Sequence, residues 1–194
     1  MIAFLRGSFT FKSPAQVVVD VNGVGYELNI SLNTYSAVQG KGSGQLFTYL
    51  HITENNQTLY GFAEPSEKEL FLQLISVSGV GAATARMMLS GMKPEEIGRA
   101  IVQGNARQLE GIKGIGRKTA ERLIVELRDK LAKQPVGNLT SGAQVNSVEQ
   151  DALFALISLG IPKPAAEQAL KKILSENDEQ LSAEILIKQV LKSL

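Results

Sequence analysis

The chain has 194 residues, is 44% hydrophobic and 20% charged, and sets 20 Lys and Arg against 19 Asp and Glu for a net charge of +1. That composition excludes a disordered polyelectrolyte, and the absence of cysteine excludes disulfides, thiolate nucleophiles, iron–sulfur clusters and zinc ribbons. His51 is the only histidine, which excludes a multi-His metal site, and the near-zero net charge at first argues against a nucleic-acid partner.

The start, MIAFLR, has no basic stretch ahead of an apolar one, and no run of 18 apolar residues follows. A cytoplasmic protein with no signal peptide and no membrane span is expected. Residues 1–63 read as β. Residues 3–12 form a first strand, and the runs QVVVDV at 16–21 and VGYELNI at 24–30 flank Asn22-Gly23. An Asn-Gly pair between two such runs is a strong hairpin signal, because a type I′ turn needs positive φ at both central positions. QLFTYLHI at 45–52 and TLYGF at 58–62 add two strands around a polar tip at 53–57. Five strands in so short a region predict a small barrel, either an OB-fold or an SH3-like one.

Residues 64–134 switch to helical spacing. Pro65 opens a helix carrying Leu70, Phe71, Leu74 and Ile75, and Pro94 opens another. Residues 119–133 place Leu123, Ile124, Leu127 and Leu131 on one face. Residues 135–147 hold no charge and no hydrophobic period, and read as a linker. Residues 148–194 predict three short helices at 148–159, 163–174 and 182–194, with Ser182 able to cap the last. Divided this way, the net charges are zero for 1–63, +3 for 64–134 and −2 for 135–194. The neutral total hides a basic cluster of Arg107, Lys113, Arg117, Lys118 and Arg122.

The middle region repeats itself. LISVSGVGAATARMML at 74–89 aligns with LEGIKGIGRKTAERLI at 109–124, an offset of 35 residues. Leu74/Leu109, Gly79/Gly114, Gly81/Gly116, Thr84/Thr119 and Ala85/Ala120 are identical. Each copy reads as a helix end, a Gly-apolar-Gly turn and a new helix, which is the helix-hairpin-helix pattern. The glycines permit a tight turn and leave no Cβ in the way of a phosphate. The turn ends at a helix N-terminus, whose free N–H groups and partial positive charge favour an anion. Val80 and Ile115 are expected to plug inward, and Ala85 and Ala120 to let the helices approach. Lys113, Arg117, Lys118 and Arg122 add charge to the second copy. The first has Ala82 and Ala83 where the second has Arg117 and Lys118, and only Arg86 to supplement its amides.

Enzymatic readings are weaker. Residues 111–119 nearly match a P-loop, but Arg117 stands where the lysine belongs, and NARQLE at 105–110 is helix-like where a buried strand is needed. A glycosylase needs a base pocket beside its acid, and Asp129 lies in a solvated charged stretch without aromatics. A protein–protein adaptor with purely structural hairpins is the remaining alternative.

The motifs MIAFLRG (1–7), NGVGYEL (22–28), LYGF (59–62), GVG (79–81) with LSGM (89–92), and GIGRKTAERLIVEL (114–127) resemble the RuvA family of Holliday-junction-binding subunits along the whole chain. The resemblance implies a multidomain α+β protein: an N-terminal OB-fold β-barrel, an all-α double helix-hairpin-helix domain, a flexible linker and a C-terminal three-helix domain. It implies a homotetramer, or an octamer of two tetramers, that holds four-way junction DNA open and stimulates the RuvB ATPase in branch migration, with the RuvC resolvase a further partner. Phosphate contacts would fall to Gly79, Val80, Gly81, Ala83, Gly114, Ile115, Gly116, Arg117, Lys118 and Arg122. An acidic pin would stand at Glu54 and Asn55. The C-terminal domain would meet RuvB, with Leu153, Leu156, Ile185, Leu186 and Val190 as candidates, part core and part contact. No catalytic residue, cofactor or metal is implied. Two positions depart from the family's habit: Asn55 replaces a second acid, and Ala83 stands where a basic residue often follows the first hairpin.

Overall fold

A computed structural model describes residues 1–133, 148–176 and 181–193. The N-terminal strands follow from alternation and tight turns. Strands β1 (Phe4–Ser13), β2 (Gln16–Val21) and β3 (Val24–Ile30) run antiparallel in succession. The Asn22-Gly23 turn between β2 and β3 has φ of 53° and 87°, the type I′ signature, and the Gly23 N–H donates to Asp20 Oδ1 at 2.7 Å. Strands β4 (Ser43–Thr53) and β5 (Asn56–Phe62) form a longer hairpin whose tip is only Glu54-Asn55, with Thr53 paired to Asn56. Thr53, Asn56 and Gln57, expected in the tip, are strand residues.

Two pairings close the barrel in the order β1-β2-β3-β5-β4: β1 with β4 antiparallel, and β3 with β5 parallel. A helix, α1 (Leu32–Val38), fills the gap between β3 and β4. That helix and the parallel pair decide for the OB-like barrel over the SH3-like one. Helix α1 has no sequence signature because it is short and buries only Thr34 and Val38; Ser31 caps it by accepting the Thr34 N–H at 3.0 Å.

Helices α2 (Pro65–Ile75), α3 (Ala82–Gly91), α4 (Pro94–Val102), α5 (Ala106–Glu110) and α6 (Arg117–Lys133) follow. Pro65 and Pro94 occupy the first turns of α2 and α4, where a missing N–H costs nothing. Helix α6 starts two residues earlier than the periodicity suggests, because Arg117 and Lys118 extend its first turn without touching the core. One hydrophobic core unites these helices, from Leu70, Phe71 and Leu74 to Leu123, Leu127 and Leu131. Tyr60 and Phe62 of β5 belong to it, so the barrel wall is also part of the helical core. Each such large side chain contributes about 1.5–3 kcal/mol on burial.

The chain divides into two compact units, Met1–Thr140 and Ser141–Leu194. The expected linker, 135–147, lies outside the described residues. In the second unit α7 (Val148–Ser158), α8 (Lys163–Glu176) and α9 (Ala183–Ser193) pack around Ala152, Leu156, Ala166, Leu170, Ile173, Leu186 and Val190. The Ile185 N–H reaches Ser182 Oγ at 3.4 Å, as the cap assignment expects. The burial sorts the five apolar residues considered for partner contact. Leu156, Leu186 and Val190 are core, Leu153 is half-buried, and Ile185 is 45% exposed. A bundle this small has few apolar positions and spends most of them on itself. Phe154, at 76% exposed, is the larger apolar side chain on its surface.

Candidate nucleic-acid interface

The two copies of the repeat fold alike, bond for bond. In the first turn, between α2 and α3, the Val77 N–H donates to Leu74 O, Val80 N–H to Val77 O and Ala85 N–H to Gly81 O, at 3.2, 3.0 and 2.9 Å. In the second, between α5 and α6, Ile112 donates to Leu109, Ile115 to Ile112 and Ala120 to Gly116, at 3.1, 3.0 and 3.0 Å. Val80 and Ile115 plug inward, each 4% exposed, and Ala85 and Ala120 are fully buried between helices.

The glycines divide into two kinds. Gly79 (φ +93°) and Gly114 (φ +91°) take the left-handed conformation that side chains disfavour. Gly81 has an ordinary φ of −81° and Gly116 also lies outside the left-handed region. A Cβ at either would meet nothing within 4 Å. Neither conformation nor packing within the chain requires glycine at these two positions; a ligand pressed against the backbone would. Gly81 begins α3 without a side chain to cap it, so the first N–H groups of that helix, at Ala82, Ala83 and Thr84, point outward. Arg117, Lys118 and Thr119 hold the same positions on α6. Each turn therefore offers a row of donors and a positive dipole end to an anion.

The cations around the turns are not equivalent. Lys113 and Lys118 are exposed and have no ion-pair partner among the described residues. Arg117 bonds Glu121 at 2.9 Å, and that carboxylate, with Glu110, holds the guanidinium above its usual range. Arg122 donates to the Ser78 carbonyl at 3.1 Å and pairs with Glu126 at 3.3 Å. It thus ties the outgoing helix of the second hairpin to the turn of the first, a role no local pattern announces. Arg86, the cation available to the first hairpin, turns away from it, donating to Asn29 Oδ1 at 2.7 Å and Ala15 O at 3.3 Å on the barrel. Its guanidinium is held by these barrel acceptors, so the first turn is left with backbone donors and the exposed methyl of Ala83.

Glu54 and Asn55 are exposed at the tip of β4 and β5, and Ile52 beside them is 63% exposed. His51 packs its ring against Tyr49 and Tyr60, with centroids 6.2 and 6.4 Å away. The near-P-loop stretch is preceded by helix α5, so the strand a nucleotide loop springs from is replaced by a helix. Asp129 is exposed on α6. Among the described residues no group of three His, Asp or Glu could hold a metal ion, and no helix is long and apolar enough to cross a membrane.

Three family models match the chain in succession: RuvA N terminal domain over residues 1–61, SAM-like Helix-hairpin-helix tandem over 71–129, and RuvA, C-terminal domain over 147–194. A protein of Amoebophilus asiaticus is 46% identical, covering 99% of this chain and 100% of its own length. Proteins of Flavobacterium psychrophilum and Bacteroides fragilis are 46% and 45% identical over the whole of both chains. All three carry the name Holliday junction branch migration complex subunit RuvA.

Proposed function

The chain belongs to the RuvA family, and from that premise we propose that it binds four-way DNA junctions as the non-catalytic subunit of a branch-migration complex. The observation that carries the reading is the pair of hairpin turns. They share one backbone path, present free helix N-termini, and have glycines at 81 and 116 that nothing in the chain itself requires. Phosphates of the junction arms lie against Gly79, Val80, Gly81 and Ala83 in the first turn, and against Gly114, Ile115, Gly116, Arg117 and Lys118 in the second. Such contacts read backbone rather than base identity.

The Glu54-Asn55 tip stands at the crossover, where one carboxylate per subunit repels phosphate and keeps strands apart. Several copies, a tetramer or two stacked tetramers, bring their hairpins to the four arms together. Affinity then arises from simultaneous contacts, which suits a chain whose net charge gives little general attraction to duplex. Residues 1–134 carry the junction contacts. Residues 148–194 carry the contact to the ATPase motor RuvB, with Phe154 and Ile185 among the exposed apolar side chains available for it, beside Val148, Ile157, Leu159 and Leu191. RuvC is the resolvase that acts on the same junction, and the setting is the cytoplasm.

Affinities for a four-way junction and a linear duplex, compared at one moderate salt concentration, test the reading. A strong preference for the junction is expected, and equal affinities would defeat it. Removal of residues 148–194 should abolish stimulation of the motor's ATPase and leave junction binding intact; unchanged stimulation would refute the role given to that unit.

A further inference from the structure

Phosphate-holding hairpins alone do not distinguish a junction arm from any other duplex, because both present the same backbone. Selectivity requires several contact points held at fixed separations, so that engagement of one raises the effective concentration of the next. Within one chain the points that attract phosphate are the two hairpin turns, on the helices, and the point that repels it is the Glu54-Asn55 tip, on the barrel.

Four consecutive residues at the start of α1 join the two parts. Ser31 Oγ donates to Glu67 Oε1. The Leu32 N–H donates to Ser90 Oγ at 3.1 Å. Asn33 Nδ2 donates to the carbonyls of Leu89 and Met92 at 2.6 and 3.0 Å, at the end of α3. Thr34 Oγ1 donates to Glu67 Oε2 at 2.6 Å and accepts the Ala63 N–H at 3.0 Å. Glu67 is 3% exposed and both of its oxygens are engaged. Ser31, Thr34 and Glu67 are the buried part of this network, and hydrogen-bonded polar groups at such depth specify one geometry, because a shift leaves a buried group unpaired. One turn further along α2, Phe71 packs on Tyr49, Tyr60 and Phe62 at 5.8, 5.0 and 5.0 Å. Those rings stand on β4 and β5, the strands that run out to Glu54-Asn55. The helix that enters the first hairpin turn therefore carries both the carboxylate of the network and the aromatic contact with the strands of the tip.

We propose that residues 31–34 with Glu67 form a clasp that sets junction selectivity without touching DNA, by fixing the barrel tip relative to the hairpin turns. Ser31, Asn33, Thr34 and Glu67 are positioning residues. The proposal rests on the junction-binding reading above.

The test uses the full-length chain with Asn33→Ala and Thr34→Val combined. Affinities for a four-way junction and for a duplex of the same arm sequence are measured at one salt concentration, with the active fraction fixed by stoichiometric titration. Junction affinity should fall by about tenfold while duplex affinity stays within about twofold. A merely structural role would lower the active fraction and leave the ratio of the two affinities unchanged. If the double variant does not fold, Asn33→Ala alone removes two bonds at a half-buried site and should lower the ratio by about threefold. A folded variant with the wild-type ratio overturns the clasp alone. A wild-type chain that binds both DNAs equally overturns the junction reading, and the clasp with it.

Discussion

Residues 76–81 and residues 111–116 follow one backbone path, with corresponding hydrogen bonds, a buried plug and a left-handed glycine at the same position in each. Their chemistry differs. The first turn leads into Ala82 and Ala83, and its cation Arg86 is bonded to the barrel; the second leads into Arg117 and Lys118. The comparison separates two contributions that a basic motif usually mixes. Geometry supplies donors at a helix end whatever the side chains are, and charge is laid over it on one copy only. The two copies are also not independent, since Arg122 of the second bonds the Ser78 carbonyl of the first.

The largest effect should come from changes that strike the shared geometry. Gly81→Asp or Gly116→Asp places a good N-cap residue at a helix start, so the melting temperature should hold or rise slightly. The same carboxylate occupies the anion position, and junction affinity should fall by about a hundredfold. Comparable losses at both turns would support the equivalence of the backbones; a loss at one alone would break it. Charge should matter less. Lys118→Ala should lower the slope of log affinity against log salt by about 0.9, and Ala83→Lys should raise it by about the same amount. A first turn that gains nothing from Ala83→Lys would show that the asymmetry lies elsewhere. Arg122→Ala tests the bridge: affinity should drop by about tenfold at most, with an unchanged salt slope, if the residue holds the turns together. A slope lowered by about 0.9 would instead make it a phosphate contact.

The smallest effect concerns Glu67. Burial pushes its carboxyl above the ordinary value of 4.5, against the opposing bonds from Ser31, Thr34 and Ala63. The folded state then holds this proton more tightly than the unfolded one. The stability it contributes is fully present below the ordinary value and is lost as pH rises through the raised one. Glu67→Gln should remove that component. Melting curves of the two proteins across this window should show the wild type losing stability relative to the variant as pH rises.

Much of the site was legible in the chain alone. The 35-residue repeat located both turns, the Gly-apolar-Gly spacing placed Val80 and Ile115 in the core, and the Asn-Gly pair fixed the register of β2 and β3. The cation roles were not legible. Arg86 and Arg122 sit among basic residues at helical spacing, which says they are near the turns but not which acceptor each chooses. Helix α1 was missed because seven residues with two buried side chains leave no period to detect.

What the sequence by itself determined is local. Positive φ at a glycine, a proline in a first turn and a 3.6-residue period each act within a few residues, so the residues beside them suffice to reveal them. What only the tertiary structure decided spans long separations. The barrel type rests on β3 meeting β5 in parallel. The clasp joins residues 36 and 58 positions apart, and the bridge between the turns joins residues 44 apart. Burial of Glu67 among hydroxyls, and of Leu156, Leu186 and Val190 in a small bundle, likewise depends on which distant segments meet. Those meetings are settled by which arrangement buries the most apolar surface while leaving few buried polar groups without a partner, a condition on the whole chain that no local window contains.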